Sequence, residues 1–309
     1  MSDHNDSAHE DRVHDVLMVG LGAMGGPIAA NLGRARDVRL AGFDADVAGR
    51  VPGAGTIRRM ASVREGVVAD GVVITCLPGI QQVEQVISDI IEGEVLPAVV
   101  VDISTSDPQR SREVALLLAR HGVDFLDAPV ARGRVAAAAG ELLMMVGGST
   151  EVLERLRPIL RVVASDIVHC GDVGAGQTVK ILNNMVLMMN VNAVVDAMTI
   201  ADRHGLDPTT VVRVLRSGSA GSFALSGEPG RALETGSFPS GKFAVDYALK
   251  DARLAEALAG DDITGALRAA RELLEAASAE GLGDAYYPAV VQTRLGRPLT
   301  DGYGRGGTA

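Results

Sequence analysis

Short runs of apolar residues alternate with helical patterns through the first half of the chain. Several early runs are aliphatic without polar alternation, which is typical of strands covered on both faces. The predicted strands are residues 16–20, 38–43, 71–76, 98–103, 123–127, 142–146 and 166–170. Helical patterns lie between them, at residues 81–91, 108–121 and 151–162 among others. This alternation predicts an α/β fold with a doubly wound, mostly parallel sheet.

The pattern changes after Gly174, where segments rich in Ala, Leu, Val and charged helix formers replace the strands. The predicted helices are residues 175–204, 208–217, 243–258, 264–280 and 284–295. Asp207-Pro208 predicts a helix start, and Gly205, Gly260 and Gly281 predict helix ends. Glycines near 171–176 mark the boundary between two predicted domains. We therefore predict an α/β domain over 14–173, an all-α domain over 174–300, and a disordered polar tail over 1–12.

A glycine-rich segment follows the first predicted strand and opens a helix. It has the pattern G-x-G-x-x-G, formed by Gly20, Gly22 and Gly25 with Ala23 and Met24 between the last two. Such glycines allow a tight turn and a close approach of the backbone to a pyrophosphate, which the helix N-terminus also favours. Together these features predict a dinucleotide-binding Rossmann domain, with all five residues near the cofactor.

An acidic residue follows at the end of the second predicted strand. Asp44 lies 19 residues after Gly25, where a carboxylate can accept hydrogen bonds from the ribose hydroxyls. A carboxylate there repels a 2′-phosphate, and no arginine follows at positions 45 or 46. We therefore expect NAD as the cofactor, while the nearby Arg50 leaves NADP possible.

Charge and composition exclude several other classes of function. The chain has 29 basic and 39 acidic residues and a net charge of −10, which disfavours nucleic acid and anionic lipid as partners but allows a small anionic substrate. No apolar run has the length of about 20 residues that a membrane span needs, and no signal-peptide pattern occurs. Cys76 and Cys170 end predicted strands, so we expect neither a disulfide framework nor a metal site, and a cytoplasmic protein.

Six segments, in order, resemble motifs of the β-hydroxyacid dehydrogenases. That family includes 3-hydroxyisobutyrate dehydrogenase, tartronate semialdehyde reductase and sulfolactaldehyde reductase. The resemblance extends from Val16 to about Leu295. The segments are GLGAMGGP at 20–27, CLP at 76–78, DISTSDP at 102–108, DAPVARG at 127–133, GAGQTVKILNN at 174–184 and KDARLA at 250–255.

The resemblance implies a lysine that exchanges a proton with the substrate hydroxyl during NAD(P)-dependent hydride transfer. Lys180 occupies its place, and Asn183 and Asn184 lie within one turn of it on the predicted helix. We expect Lys180 and Asn184 to be catalytic and Lys180 to face the seam between the domains. The alternative is a solvated surface lysine.

The resemblance also carries over contacts to the cofactor. It implies that Leu77, Pro78 and Thr105 contact the cofactor and that Lys250 lies near both nicotinamide and substrate. Phe243, Tyr247, Lys250 and Leu254 are spaced as one helix face, so Phe243 is a further cofactor candidate. In the alternative interpretation, Phe243 and Tyr247 are core residues and Lys250 merely extends beside them.

One motif departs from the family pattern. Many members have Ser-Gly-Gly where this chain has Ala131-Arg132-Gly133. The change removes a hydroxyl and adds a guanidinium suited to an oxyanion, either a carboxylate or a sulfonate. The alternative is that Arg132 pairs with the acidic surface. The complete set of predicted substrate-binding residues is Ser104, Ala131, Arg132, Gly133, Asn183, Asn184 and Lys250.

Three other functions stay open at this stage. An imine reductase has a related fold but generally lacks the lysine, so Lys180 argues against it. A non-catalytic NAD(P)-binding interaction module is disfavoured by Lys180, Asn184 and Lys250. Phosphogluconate dehydrogenase has a longer helical domain than this chain offers. Members of the family that the chain resembles are commonly dimers or tetramers, and the apolar run at 186–195 in the long helix offers a face for another subunit. We therefore expect a homodimer or homotetramer.

Overall fold

The computed structural model describes residues 13–46, 57–262 and 265–299. The predicted tail and Arg50 lie outside the described residues. The chain divides into two compact units, the first ending at Lys180 and the second beginning at Ile181, and each is described by itself. The division falls inside one long helix.

The first unit contains all the strands that the structure describes. They are β1 His14–Val19, β2 Val38–Phe43, β3 Arg58–Arg59, β4 Val72–Thr75, β5 Val99–Asp102, β6 Asp124–Asp127, β7 Val130–Ala131, β8 Leu142–Gly147 and β9 Ala164–Gly171. The helices of this unit are α1 Gly25–Leu32, α2 Val63–Gly66, α3 Ile80–Ile91, α4 Pro108–Ala119, α5 Gly133–Ala139 and α6 Thr150–Leu160. All seven predicted strands are confirmed. The sequence analysis missed β3 and β7, which are too short to show a pattern.

The sheet has the doubly wound order of a Rossmann domain. Its strands follow the order β3-β2-β1-β4-β5-β6-β8-β7, and β9 pairs with β8. The pairs from β3 through β6 are parallel, whereas β8 runs antiparallel to β6 and β7. The order reverses beside β1, so the carboxyl ends of β1 and β4 open the crevice where such sheets bind ligands.

Apolar residues of the sheet alternate between two cores, one on each face. Val16, Val72 and Val99 belong to one core, and their neighbours Leu17, Val73 and Val100 belong to the other. Strands β4 and β5 are buried along their whole length. The absence of polar alternation in these runs therefore follows from helices that cover both faces.

The second unit is helical. Helix α7, Ala175–Arg203, crosses the division, and it is followed by α8 Pro208–Ser217, α9 Phe223–Ser226, α10 Glu228–Thr235, α11 Val245–Ala259, α12 Gly265–Ala277 and α13 Val290–Leu295. Asp207 caps α8 by accepting the N–H groups of Thr209 and Thr210, as predicted. Within the described part of this unit, the one β-pairing is an isolated bridge between Ala244 and Tyr286.

Of the described helices, α7 alone has the length and composition of a membrane span. Its most apolar 18-residue window has a mean hydropathy of 1.3, and 44% of that window is buried within the structure. Core helices of soluble proteins pass the same test, so this property is weak evidence for a membrane.

Candidate active site

The three glycines of the loop after β1 each serve a different purpose. Gly20 has a φ of +92°, and a Cβ there would collide with the carbonyl oxygen of Cys76. A Cβ on Gly25 would collide with the carbonyl oxygen of Gly20, so this glycine permits helix α1 to start close against the loop. Gly22 has no atom within 4 Å of the position of a Cβ. Its open backbone fits the close approach of a pyrophosphate.

The Asp44 carboxylate joins the end of β2 to this loop. It accepts the N–H of Leu21 at 2.6 Å through one oxygen and the N–H of Asp46 at 2.8 Å through the other. A carboxylate offers about four acceptor positions, so two bonds leave capacity for ribose hydroxyls. Ala23 is exposed and Met24 half-buried in the adjoining turn. The predicted dinucleotide residues therefore lie together at the carboxyl end of β1 and β2.

A buried hydrogen-bond network joins the carboxyl ends of β4 and β5. Asp102 accepts the Thr75 hydroxyl at 2.8 Å and the Ser104 N–H at 3.0 Å on one oxygen, and the Ser106 hydroxyl at 3.3 Å on the other. The Ser104 hydroxyl in turn accepts the Leu77 N–H at 2.9 Å. Burial raises the pKa of Asp102, while these donors favour its anion.

Three predicted cofactor contacts lie in or beside this network. Thr105 is half-buried between Ser104 and Ser106, which are 3% and 1% exposed. Pro78 is exposed directly after Leu77. The network therefore holds the loops that carry Leu77, Pro78 and Thr105 at the carboxyl ends of β4 and β5.

The start of α7 is tied to the sheet through a buried carboxylate. Asp127, at the end of β6, accepts the N–H of Gly174 at 2.7 Å and that of Gln177 at 2.8 Å. It supplies a cap from outside the helix, where the helix dipole favours a negative charge. Burial raises the pKa of Asp127 to about 6, against the effect of the two N–H donors.

Lys180 lies one helical turn after Gln177 and is only 9% exposed. Lysine is almost never fully buried, because desolvation penalises its ammonium group. The structure therefore does not support the alternative of a solvated surface lysine.

In the second unit, the predicted residues Asn184 and Lys250 share a partner that the sequence analysis missed. Asp251 is 1% exposed and accepts the Asn184 side-chain N–H at 2.6 Å. The Lys250 ammonium lies 3.3 Å from its other oxygen, in an ion pair without hydrogen-bond alignment. Asn183 donates to the Asn184 side-chain oxygen at 3.0 Å. Asn184 therefore retains one N–H for a further acceptor.

Arg132 is placed differently from its predicted role. Its guanidinium lies 2.6 Å from Asp166 and also donates to the Ser165 hydroxyl and the Glu141 carbonyl oxygen. The arginine, with Ser165, lowers the pKa of Asp166. Pairing with the acidic surface, the alternative that the sequence left open, is what the structure has. We therefore do not assign Arg132 to the substrate. Ala131 and Gly133 flank it, and space around the Gly133 Cα is open.

The helix-face argument for Phe243 is wrong. Helix α11 begins at Val245, after an extended Ala244, so Phe243 precedes the helix that carries Lys250. Its ring meets that of Tyr287 edge-on, with centroids 5.3 Å apart, and it packs on the core of the second unit. Phe243 therefore has the surroundings of a core aromatic residue, while Tyr247 is exposed.

Comparisons with known proteins identify the family of this chain. Residues 15–171 match the model of the NAD binding domain of 6-phosphogluconate dehydrogenase. Residues 174–293 match the model of the NAD-binding region of NADP-dependent 3-hydroxyisobutyrate dehydrogenase. The chain belongs to the β-hydroxyacid dehydrogenase family. As a member of that family it is an NAD(P)-dependent oxidoreductase, and the resemblance found in the sequence is confirmed.

Individual relatives of this β-hydroxyacid dehydrogenase cover nearly its whole length. The 2-(hydroxymethyl)glutarate dehydrogenase of Eubacterium barkeri is 36% identical over 89% of this chain and 92% of its own. The structure of Mycobacterium tuberculosis 3-hydroxyisobutyrate dehydrogenase with L-serine superposes with a TM-score of 0.77 at 31% identity, covering 91% of this chain and 99% of the other. An imine reductase from Myxococcus stipitatus has a TM-score of 0.59 at 17% identity over 91% and 99% of the two chains, which shows a shared fold alone.

The buried polar residues that the sequence analysis missed in this family member include Asp127, Gln177 and Asp251. Each lies inside a motif that was recognised, within four residues of a residue that was singled out. A polar residue on the buried face of a predicted element would have been the usable signal, since such groups need partners.

Proposed function

We propose that this enzyme oxidises a small 3-hydroxyacid to its semialdehyde, and catalyses the reverse reduction, with Lys180 as the acid and base. The observation that carries the proposal is the burial of Lys180, 9% exposed, on the turn of α7 that Asp127 and Gln177 tie to the sheet. A lysine held in this way is pre-organised for proton transfer at a fixed position.

In the oxidation, the Lys180 amine takes the proton of the substrate hydroxyl while the carbon–hydrogen bond at the same carbon breaks. When bound, the nicotinamide supplies the acceptor for the hydride. In the reduction, the Lys180 ammonium donates a proton to the aldehyde oxygen. Such a positioned proton donor contributes about 100- to 10,000-fold to a rate.

The names of the relatives indicate the chemical class of substrate. 2-(Hydroxymethyl)glutarate, 3-hydroxyisobutyrate and L-serine all have a primary alcohol β to a carboxylate. We propose that the substrate of this enzyme also has a primary alcohol β to an acid group. That acid group is a carboxylate, with a sulfonate as the alternative. The candidate ligand of the acid group is the free N–H of Asn184, which lies one turn after Lys180 on the same helix.

We further propose NAD rather than NADP as the preferred cofactor. Asp44 and the exposed Asp46 place two carboxylates at the end of β2, where a 2′-phosphate would have to lie. Titration of the protein with NADH and NADPH, followed by nicotinamide fluorescence, tests the preference. Equal affinities would contradict it.

The decisive experiment is a substrate panel with both cofactors. It contains 3-hydroxyisobutyrate, L-serine, 2-(hydroxymethyl)glutarate, a sulfonate analogue and cyclic imines. Lys180→Met should lower kcat at least about 100-fold and leave NADH binding intact. Lys242→Met is the matched control, because Lys242 pairs with Glu228 and lies over Tyr286 in the second unit.

The outcomes separate the three candidate functions. Full activity in Lys180→Met would refute the acid/base assignment. Turnover of imines without turnover of hydroxyacids would favour an imine reductase, and NADH binding without any turnover would favour the interaction module.

We expect a cytoplasmic homodimer or homotetramer. Val179, Leu182 and Val186 are 39%, 45% and 50% exposed and follow one face of α7 at spacings of three and four residues. A second copy of the chain would cover this apolar face. Light scattering gives the molar mass of the wild type and of Val186→Lys in solution. We expect an oligomer for the wild type and a smaller species for the variant, and a monomeric mass for both proteins would contradict this expectation.

A further inference from the structure

Gln177 is a completely buried amide on the third residue of α7. Its side chain is 0% exposed, and it uses both of its polar atoms. The oxygen accepts the backbone N–H of Ser106 at 2.9 Å, and the nitrogen donates to the backbone carbonyl of Ser104 at 2.8 Å. The side chain therefore pairs with the loop after β5 as another peptide group would in a strand ladder.

The two bonds of Gln177 enclose Thr105. Ser104 is also held through its N–H on Asp102 and its hydroxyl on Leu77, and Ser106 through its hydroxyl on Asp102. Both neighbours of Thr105 are thus buried and each is held by several hydrogen bonds, while Thr105 itself is half-buried. The two bonds of Gln177, called the Gln177 clamp below, therefore hold the backbone on either side of Thr105.

The same residue orients the turn that carries Lys180. The Gln177 backbone N–H is held by Asp127 at 2.8 Å, and Lys180 follows three residues later on the same side of the helix. Gln177 is therefore attached at its backbone to β6 and at its side chain to the loop after β5. Rotation or translation of this first turn would break both attachments.

We propose that Gln177 is a positioning residue that holds Thr105 and Lys180 in register for hydride and proton transfer. The inference rests on the proposed function, because it gives the two side-chain hydrogen bonds of Gln177 a role in that reaction. Gln177 itself touches neither substrate nor cofactor in this proposal. Its loss acts through small displacements of the two side chains that do, and a displacement of about 1 Å can cost about 100-fold in rate.

The test is a double-mutant cycle with Gln177→Met, Thr105→Ala and both together. Methionine keeps the length of the side chain and removes both hydrogen bonds. Gln177→Met should lower kcat about 10- to 100-fold with KM and NADH affinity changed less than about threefold. The loss of kcat in the double variant should be smaller than the product of the two single losses, because part of the effect of Gln177→Met acts through Thr105. Multiplying effects, or an unchanged kcat in Gln177→Met, would refute the proposal.

A control variant separates positioning from a general loss of stability. Asn31→Leu removes another side-chain amide that joins two elements of the first unit, where Asn31 donates to the Ala137 carbonyl at 2.9 Å. It should lower the melting temperature without lowering kcat. If Gln177→Met does not fold, Gln177→Glu, which keeps the oxygen facing Ser106, is compared in its place, with a fall in kcat again expected and an unchanged kcat refuting the proposal.

Hydrogen exchange gives a readout that does not need turnover. The Ser106 amide should lose protection in Gln177→Met and keep it in Asn31→Leu. Unchanged protection would refute the clamp itself. A wild type that binds NADH but turns over no substrate of the panel would refute the proposed function, and with it the catalytic value of the clamp. An active wild type with an equally active Gln177→Met would refute this inference alone.

Discussion

The buried carboxyl group of Asp127 should make the stability of the chain depend on pH in an unusual direction. Asp127 is 0% exposed and accepts two N–H groups at the start of α7. Its pKa is raised from 3.8 to about 6, with burial as the largest cause. Because the folded chain holds the proton more tightly than the unfolded chain, protonation favours folding.

The sign and size follow from linkage between proton binding and folding. The stabilising contribution of the protonated group is complete below about pH 3.8 and is lost as the pH rises through about 6. A shift of about two pKa units corresponds to about 3 kcal/mol over the full range. Between about pH 4.5 and about pH 7.5 the change is about 2 kcal/mol.

The assay compares wild type with Asp127→Asn. The variant keeps one carbonyl oxygen as a cap and does not titrate. Urea unfolding followed by circular dichroism should show the wild type losing about 2 kcal/mol relative to the variant from about pH 4.5 to about pH 7.5. Asp166→Asn is the control. Arg132 lowers the pKa of Asp166, so that carboxylate stays ionised throughout the range and the difference should stay flat. Parallel curves for wild type and Asp127→Asn would refute the reasoning.

Three further predictions concern single side chains. Arg132→Ala should change the free energy of unfolding by less than about 1 kcal/mol, because its pair with Asp166 is exposed, and a rise in KM of about tenfold or more would instead assign the guanidinium to the substrate. Asp44→Ala should weaken NADH binding about tenfold and reduce the preference over NADPH, measured by fluorescence titration; an unchanged ratio would exclude a role in selectivity. Cys170 should react with a thiol reagent before Cys76, whose pKa burial raises to about 12, and Cys170→Ser should remove the early phase.

The sequence by itself was sufficient for the features that depend on neighbouring residues. The aliphatic runs of β4 and β5 predicted strands buried on both faces, because a strand with one solvated face would have a polar residue at every second position. The glycine loop was predictable because its tight turn, the open backbone at Gly22 and the start of α1 all lie within six consecutive residues. Asp207-Pro208 likewise contains its own cap and helix start. In each case the residues that form the pattern lie within one turn or strand, although the carbonyl oxygen that crowds Gly20 belongs to the distant Cys76.

The tertiary structure decided which polar groups are buried and what they bind. Gln177 meets Ser106 at a separation of 71 residues, Asn184 meets Asp251 at 67, and Arg132 meets Asp166 at 34. No local pattern specifies such partners, because the identity of a polar residue does not show whether its side chain is exposed to solvent or buried in hydrogen bonds. Long-range contacts also accompany two elements that the sequence did not predict correctly. Strand β7 pairs with β8, and Phe243, just before the start of α11, packs on Tyr287. The motifs therefore indicated where the chemistry lies, and only long-range packing determined how each group is held.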